Sequence, residues 1–143
     1  MPYRYLEEIA TADVAFEAWG STVEETFIAC ADATMNVMVH DLATIASREQ
    51  RLLQAEAEAL DMLLFELLQD LIYFKDAEQL LLRVSKVRIQ PKSGGWTLSA
   101  DSYGERIDRQ KHELIVDVKA VTLHRFQLEQ VKEGWRASVI LDI

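Results

Sequence analysis

The chain is poor in the residues that staple or metallate small folds. It has one cysteine, Cys30, which excludes an internal disulfide framework and a cysteine zinc cluster and suits a reducing compartment. Cys30 falls in an apolar helical stretch and reads as a small buried hydrophobe. Two prolines and five glycines punctuate 143 residues. No repeat, low-complexity tract or Gly/Ser/Pro linker divides them, so a single domain over residues 1–143 is expected. No run approaches the roughly eighteen apolar residues of a membrane span, and Met1-Pro2-Tyr3-Arg4-Tyr5 lacks the basic lead and apolar core of a secretory signal. A cytosolic, membrane-free protein is expected. Basic side chains are the minority, 15 against 24 acidic, for a net charge of −9. That balance argues against tight direct binding of nucleic acid, which rests on phosphate neutralisation, and suits a basic partner or held cations. Half the residues are hydrophobic, which excludes disorder; a domain of this length buries roughly 68–70% of its unfolded surface.

Hydrophobic periodicity organises the chain. Residues 3–9 and 13–19 read as strands, with Val14, Phe16 and Ala18 alternating against Ala15, Glu17 and Trp19. Gly20 breaks the pattern, and Thr22 with Glu25 forms a capping box. Phe27, Cys30, Ala31, Thr34, Val37 and Met38 then follow at helical spacing, predicting a helix to about Val39, with His40-Asp41 beyond it. A strand is expected over roughly 50–56. Leu60, Leu63, Leu64, Leu67, Leu68, Leu71 and Ile72 step by three and four, with Asp61, Glu66, Gln69 and Asp70 opposite; this is an amphipathic helix laying one stripe on a sheet. Beyond it the chain is mostly strand: 80–90, a turn at 91–95, 96–103 ending at Gly104, 116–121, and a hairpin of 124–131 with 135–141 across Lys132-Glu133-Gly134. Residues 104–112 form a polar loop long enough to carry function. The short connections favour antiparallel pairing. The expected class is α+β: an antiparallel or mixed sheet, six or more strands, covered by two main helices.

No nucleophile elbow, phosphate loop, dinucleotide fingerprint, HExxH or EF-hand loop is present, and Gly94-Gly95 is turn chemistry. None of His40, His112 and His124 has a second histidine at ligand spacing. His40 suits the negative end of a helix dipole, and His112 belongs to the charged loop. His124 is the most suggestive, although it points away from the face shared by Lys119, Val121 and Leu123 unless a bulge intervenes. Two aspartates frame the chain. Asp13 opens an early strand, and Asp142 closes the run Ala137-Ser138-Val139-Ile140-Leu141-Asp142-Ile143 beside the terminal carboxyl. A strand-end aspartate ordinarily caps a turn. Brought together, the two would be a patch of hard oxygen donors suited to a divalent cation.

Thr11-Ala12-Asp13-Val14-Ala15-Phe16-Glu17-Ala18-Trp19-Gly20, followed by Thr22-Val23-Glu24-Glu25-Thr26-Phe27, resembles the opening of the archease family. The likeness continues through Asn36-Val37-Met38, Lys111-His112-Glu113 and Val118-Lys119-Ala120-Val121-Thr122-Leu123-His124 to the closing Trp135-Arg136-Ala137-Ser138-Val139-Ile140-Leu141-Asp142-Ile143. The resemblance implies an accessory protein rather than a free-standing enzyme. It would activate a GTP-dependent tRNA-splicing RNA ligase by promoting the ligase–guanylate intermediate and repeated turnover. It also implies a metal site of Asp13 and Asp142, with a carbonyl or carboxylate oxygen of Ile143 as a further donor. Lys119 matches a lysine of the family's late motif; it and His124 are candidate contacts to the partner or a phosphate. Many relatives carry His-Thr-Ala-Asp where this chain has Ala10-Thr11-Ala12-Asp13. Oxygen donors alone favour Ca²⁺, Mg²⁺ or Mn²⁺ over zinc.

Two other functions are compatible with the residues. A general chaperone or interaction module would use the acidic face or the leucine stripe to hold clients. A metal-dependent hydrolase would need a base beside the metal, and only His124 and His112 could serve.

Overall fold

A computed structural model describes residues 2–6 and 13–143. Seven strands and two helices follow in the order β1 (Tyr3–Tyr5), β2 (Asp13–Gly20), α1 (Val23–Met38), β3 (Glu49–Ala57), α2 (Leu60–Glu78), β4 (Leu80–Lys92), β5 (Gly95–Arg106), β6 (Ala120–Val131) and β7 (Gly134–Asp142), with a 3₁₀ turn at Leu42–Thr44. The class is α+β, and the strands divide between two antiparallel sheets, β1-β2-β7-β6 and β3-β5-β4. No helix among the described residues is long and apolar enough to cross a membrane.

The helices join the two sheets. α1 packs on β2 and β7 of one sheet and on β4 of the other, while α2 packs on β3, β4, β5 and β6. α1 is therefore enclosed on most sides, and Ala29, Ala31 and Ala33 keep it slim enough for that position. Its start is close to the expected capping box. Thr22 Oγ1 accepts from the Glu25 amide at 3.1 Å, but the Glu25 carboxylate reaches one residue further back, accepting from the Ser21 amide at 2.9 Å. The Ser21 hydroxyl and amide hold that carboxyl below its usual range. The leucine stripe of α2 is core: Leu63, Leu64, Leu67, Leu68 and Leu71 are fully buried, each contributing about 1.5–3 kcal/mol of transfer free energy. Cys30 is buried as expected, and burial pushes its thiol up.

Three expectations need correction. The expected strand at 3–9 ends at Tyr5; Leu6 is not in a strand, although its amide bonds to the Ala15 carbonyl at 2.8 Å, and residues 7–9 lie outside the described residues. β5 does not stop at Gly104. A Cβ there would stand 1.7 Å from the Leu81 carbonyl oxygen, so the glycine allows β5 to press against β4 and continue to Arg106. Residues 116–119 are not strand either; β6 begins at Ala120 and ends at Val131. The backbone before Ala120 is tied to side chains and loops instead of to a ladder. The Ile115 amide donates to the Met38 carbonyl at 2.8 Å, the His40 amide to the Glu113 carbonyl at 2.9 Å, and Lys75 Nζ to the Val118 carbonyl at 2.8 Å.

Candidate functional site

β2 and β7 pair in register from Asp13 opposite Asp142 to Gly20 opposite Trp135. Alternation along each strand then sorts the side chains. Phe16, Ala18, Val139, Ala137 and Leu141 are buried on the inner face. The register puts Asp13, Ala15, Glu17 and Trp19 on the outer face, beside Asp142, Ile140, Ser138 and Arg136. The first and last aspartates of the sequence analysis are thus direct cross-strand neighbours, a relation that places Cβ atoms about 4.5–5.5 Å apart. β6 extends the row, with Ala120 opposite Asp142 and Thr122 opposite Ile140. The Lys119 amide donates to the Asp142 carbonyl at 2.8 Å, which brings Lys119 alongside the acidic pair. Ile143 follows directly, its half-buried side chain packed on the core.

Both aspartates are half-buried, and neither has an ion-pair partner among the described residues. Like charges directly opposite one another on a sheet are destabilising. One row further in, Thr122 Oγ1 is buried with no hydrogen-bond partner among the described residues. Two carboxylates, a free hydroxyl and the main-chain oxygens of residues 142–143 are hard donors of the kind Mg²⁺, Mn²⁺ or Ca²⁺ takes. They do not complete a coordination shell. Among the described residues no three His, Cys, Asp or Glu side chains cluster as metal ligands. A cation here would need water or another molecule for its remaining positions, as Mg²⁺ commonly does.

His124 is not brought into the acidic row. Thr122 pairs with Ile140 and Gln127 with Ser138, so the four residues 123–126 face Val139 alone. The bulge that intervenes turns at Arg125, with φ 54°, and leaves Leu123, His124 and Arg125 exposed. Phe126 anchors it, meeting Phe65 edge-on with centroids 5.9 Å apart. Between the bulge and Leu6 lies a groove of about 410 Å³ floored by Ala15 and Ile140.

His112 is not a solvated loop residue. It is 1% exposed. Its Nδ1 accepts from the Asp108 amide at 2.9 Å, so Nε2 carries the proton and donates to Glu105 Oε2 at 2.9 Å. Glu105 also accepts from the Ala46 amide at 2.7 Å and Lys111 Nζ at 2.6 Å, and it pairs with Arg48 at 3.2 Å. Burial raises the Glu105 carboxyl; Lys111, the Ala46 amide and His112 together outweigh it, so the group falls to about 2. Both nitrogens of His112 are committed, so it is not placed to serve as the base of a hydrolase. The end of β5 and the loop that follows it work as a clasp. The sequence analysis missed Glu105 because it read this strand end as part of a charged loop, where nothing distinguishes the one buried carboxylate. It also missed Lys75, which is 6% exposed. Lys75 continues the leucine stripe at the next helical step after Leu71 and Ile72, and that spacing was the available signal.

The sequence model of the Archease protein family matches residues 3–143. Protein archease of Pyrococcus abyssi is 36% identical over 134 residues, covering 93% of this chain and 94% of the relative. Protein archease of Methanosarcina barkeri is 31% identical over 142 residues, covering 99% and 95%. The solution structure of Methanobacterium thermoautotrophicum protein 1598 superposes with a TM-score of 0.85 at 31% identity and covers 99% of both chains. The crystal structure of a Thermotoga maritima archease, described as a possible chaperone, gives a TM-score of 0.59 at 19% identity over 96% of this chain and 97% of that one. At that identity the second structure speaks for the fold alone.

Proposed function

This chain belongs to the archease family, and from that premise we propose that it is an accessory activator of a GTP-dependent tRNA-splicing RNA ligase, acting through a divalent cation held at the β2–β7 edge. The observation that carries the proposal is the register of Asp13 against Asp142, which leaves two carboxylates side by side and unanswered. When bound, a hard divalent ion supplies positive charge for the phosphate oxygens of a nucleoside triphosphate. Asp13 and Asp142 would hold that ion, with a main-chain oxygen of Ile143 as a further donor. Their incomplete shell leaves coordination positions for a partner-bound nucleotide. Lys119, exposed beside Asp142, would contact a phosphate or an acidic group of the ligase, and His124 would meet the partner from the bulge.

The test is guanylylation of stoichiometric ligase in Mg²⁺ or Mn²⁺. Asp13→Ala and Asp142→Ala are each expected to abolish stimulation with the thermal midpoint nearly unchanged. Full stimulation by both variants would overturn the role. A general chaperone loses one of its two motives, because the leucine stripe is buried. It would have to work through the acidic surface, and it would suppress aggregation of unrelated proteins in EDTA, where a dedicated activator does nothing.

A further inference from the structure

The buried stripe of α2 carries a lysine where another leucine would fit. Lys75 is buried in line with Leu68, Leu71 and Ile72, yet it brings a charge that must be desolvated. A lysine has three donors. Here all three are used, on the carboxylates of Asp76 and Asp117 and on the Val118 carbonyl at 2.8 Å. The two carboxylates are mostly exposed; the bond to Val118 is the buried one. Six residues earlier on the same helix, Gln69 Oε1 accepts from the Val121 amide at 2.9 Å. α2 therefore holds a carbonyl on one side of Lys119-Ala120 and an amide on the other. Between those anchors the Lys119 amide meets the Asp142 carbonyl, and Ala120 pairs with Asp142. The stretch before Lys119 has no strand of its own; Val118 is its one buried core residue, Ile115 and Val116 are exposed, and the Lys75 bond fixes the carbonyl that precedes Lys119.

We infer that Lys75 and Gln69 are positioning residues that grip both flanks of Lys119-Ala120 from α2 and so set Lys119 beside the Asp13–Asp142 pair. The functional part of this inference rests on the activator reading; the structural part does not. Lys75→Met removes the donors and keeps an apolar stem. Gln69→Leu removes the acceptor, and Gln69→Glu keeps one.

Hydrogen exchange of the full-length protein, read by NMR at the Lys119 amide, tests the grip. Guanylylation of stoichiometric ligase tests its use. Exchange at Lys119 is expected to quicken by about tenfold or more in Lys75→Met and Gln69→Leu, with amides of the β4–β5 ladder unchanged. Stimulation should fall in both variants and return in Gln69→Glu. Adding Lys75→Met to Lys119→Ala should cause no further loss, because the two act as one unit. Unchanged exchange at Lys119 overturns the inference. So does full stimulation by Lys75→Met and Gln69→Leu while Lys119→Ala is impaired, and so does failure of Gln69→Glu to restore. Should Lys75→Met not fold, the two Gln69 variants decide it. If Asp13→Ala and Lys119→Ala both stimulate fully, the activator reading falls, and exchange at Lys119 still decides the grip.

Discussion

The two ends of the β2–β7 ladder present the same outer face and treat charge in opposite ways. At one end Asp13 faces Asp142, and neither carboxylate has an ion pair among the described residues. At the other, Glu17 is bridged by Arg4 at 2.7 Å, and Glu129 of β6 is held by Arg136, which stands opposite Trp19. Strand geometry and hydrophobic alternation are common to both, so the difference lies only in side-chain chemistry. One end answers its own charges and needs nothing further. The other sets two like charges directly opposite each other, an unfavourable arrangement. Glu105 extends the contrast beyond the sheet: an ammonium, a guanidinium, an imidazole and an amide surround that carboxylate. Within one molecule, paired carboxylates tie elements of the fold together, while Asp13 and Asp142 carry no ion pair among the described residues.

The contrast can be broken at its acidic end first. Asp13→Lys would build the kind of cross-strand pair that the opposite end already has. Divalent-cation binding, followed by calorimetry or by Tb³⁺ luminescence, should weaken by about a hundredfold or more as a ligand is replaced by a positive charge. The same change should raise stability by a few tenths to about 1 kcal/mol in urea unfolding. Unchanged cation affinity would mean the acidic pair is not the binding edge.

Removing an answer from a buried carboxylate is the next largest effect. Glu105→Gln leaves Lys111, Arg48 and the neutral His112 without their anion; the two cations can hydrate, so urea unfolding should show a loss of about 1–2 kcal/mol. The sign of its pH dependence follows from the folded-state value of about 2 against an ordinary 4.5. A depressed carboxyl contributes stability that is complete above 4.5 and is lost as pH falls toward 2. Acid unfolding of the native chain should therefore steepen across that window, and Glu105→Gln should flatten it. An equally steep curve in the variant would remove Glu105 from the account of acid stability.

The smallest effect belongs to the answered end of the ladder. Arg136→Gln breaks an exposed pair with Glu129. Solvent screens such pairs, so the thermal midpoint and cation affinity should both stay within experimental scatter. A large drop in affinity would show that the two ends are coupled, and the contrast would need to be redrawn.

Much of this was legible from residue order. The leucine stripe placed α2, the Thr22 and Glu25 pattern placed the start of α1, and alternation located β2, β4 and β7 to within a few residues. These features are local: a helix or strand that buries one face repeats its apolar residues at its own period. The opening motif at 11–20 and the closing one at 135–143 carried the family likeness, and with it the expectation that Asp13 and Asp142 meet. The bulge at 123–126 escaped, because Leu123 and Phe126 fit an uninterrupted strand as well as a kinked one. The irregular stretch at 116–119 escaped too, since Val116, Val118 and Ala120 alternate like a strand while the Val118 carbonyl is taken by Lys75 of α2.

Residue order by itself determined which faces are apolar, where charge collects and which segments are helix or strand, since each depends on neighbours a few positions away. Only the tertiary structure decided which charges remain without a partner. Asp13 and Asp142 are separated by most of the chain, and so are Lys75 and Val118 by more than an element; whether a carboxylate finds a cation or an ammonium finds a carbonyl depends on register and packing across that separation. Those long-range contacts place Lys119 beside the acidic edge, and no local period encodes them.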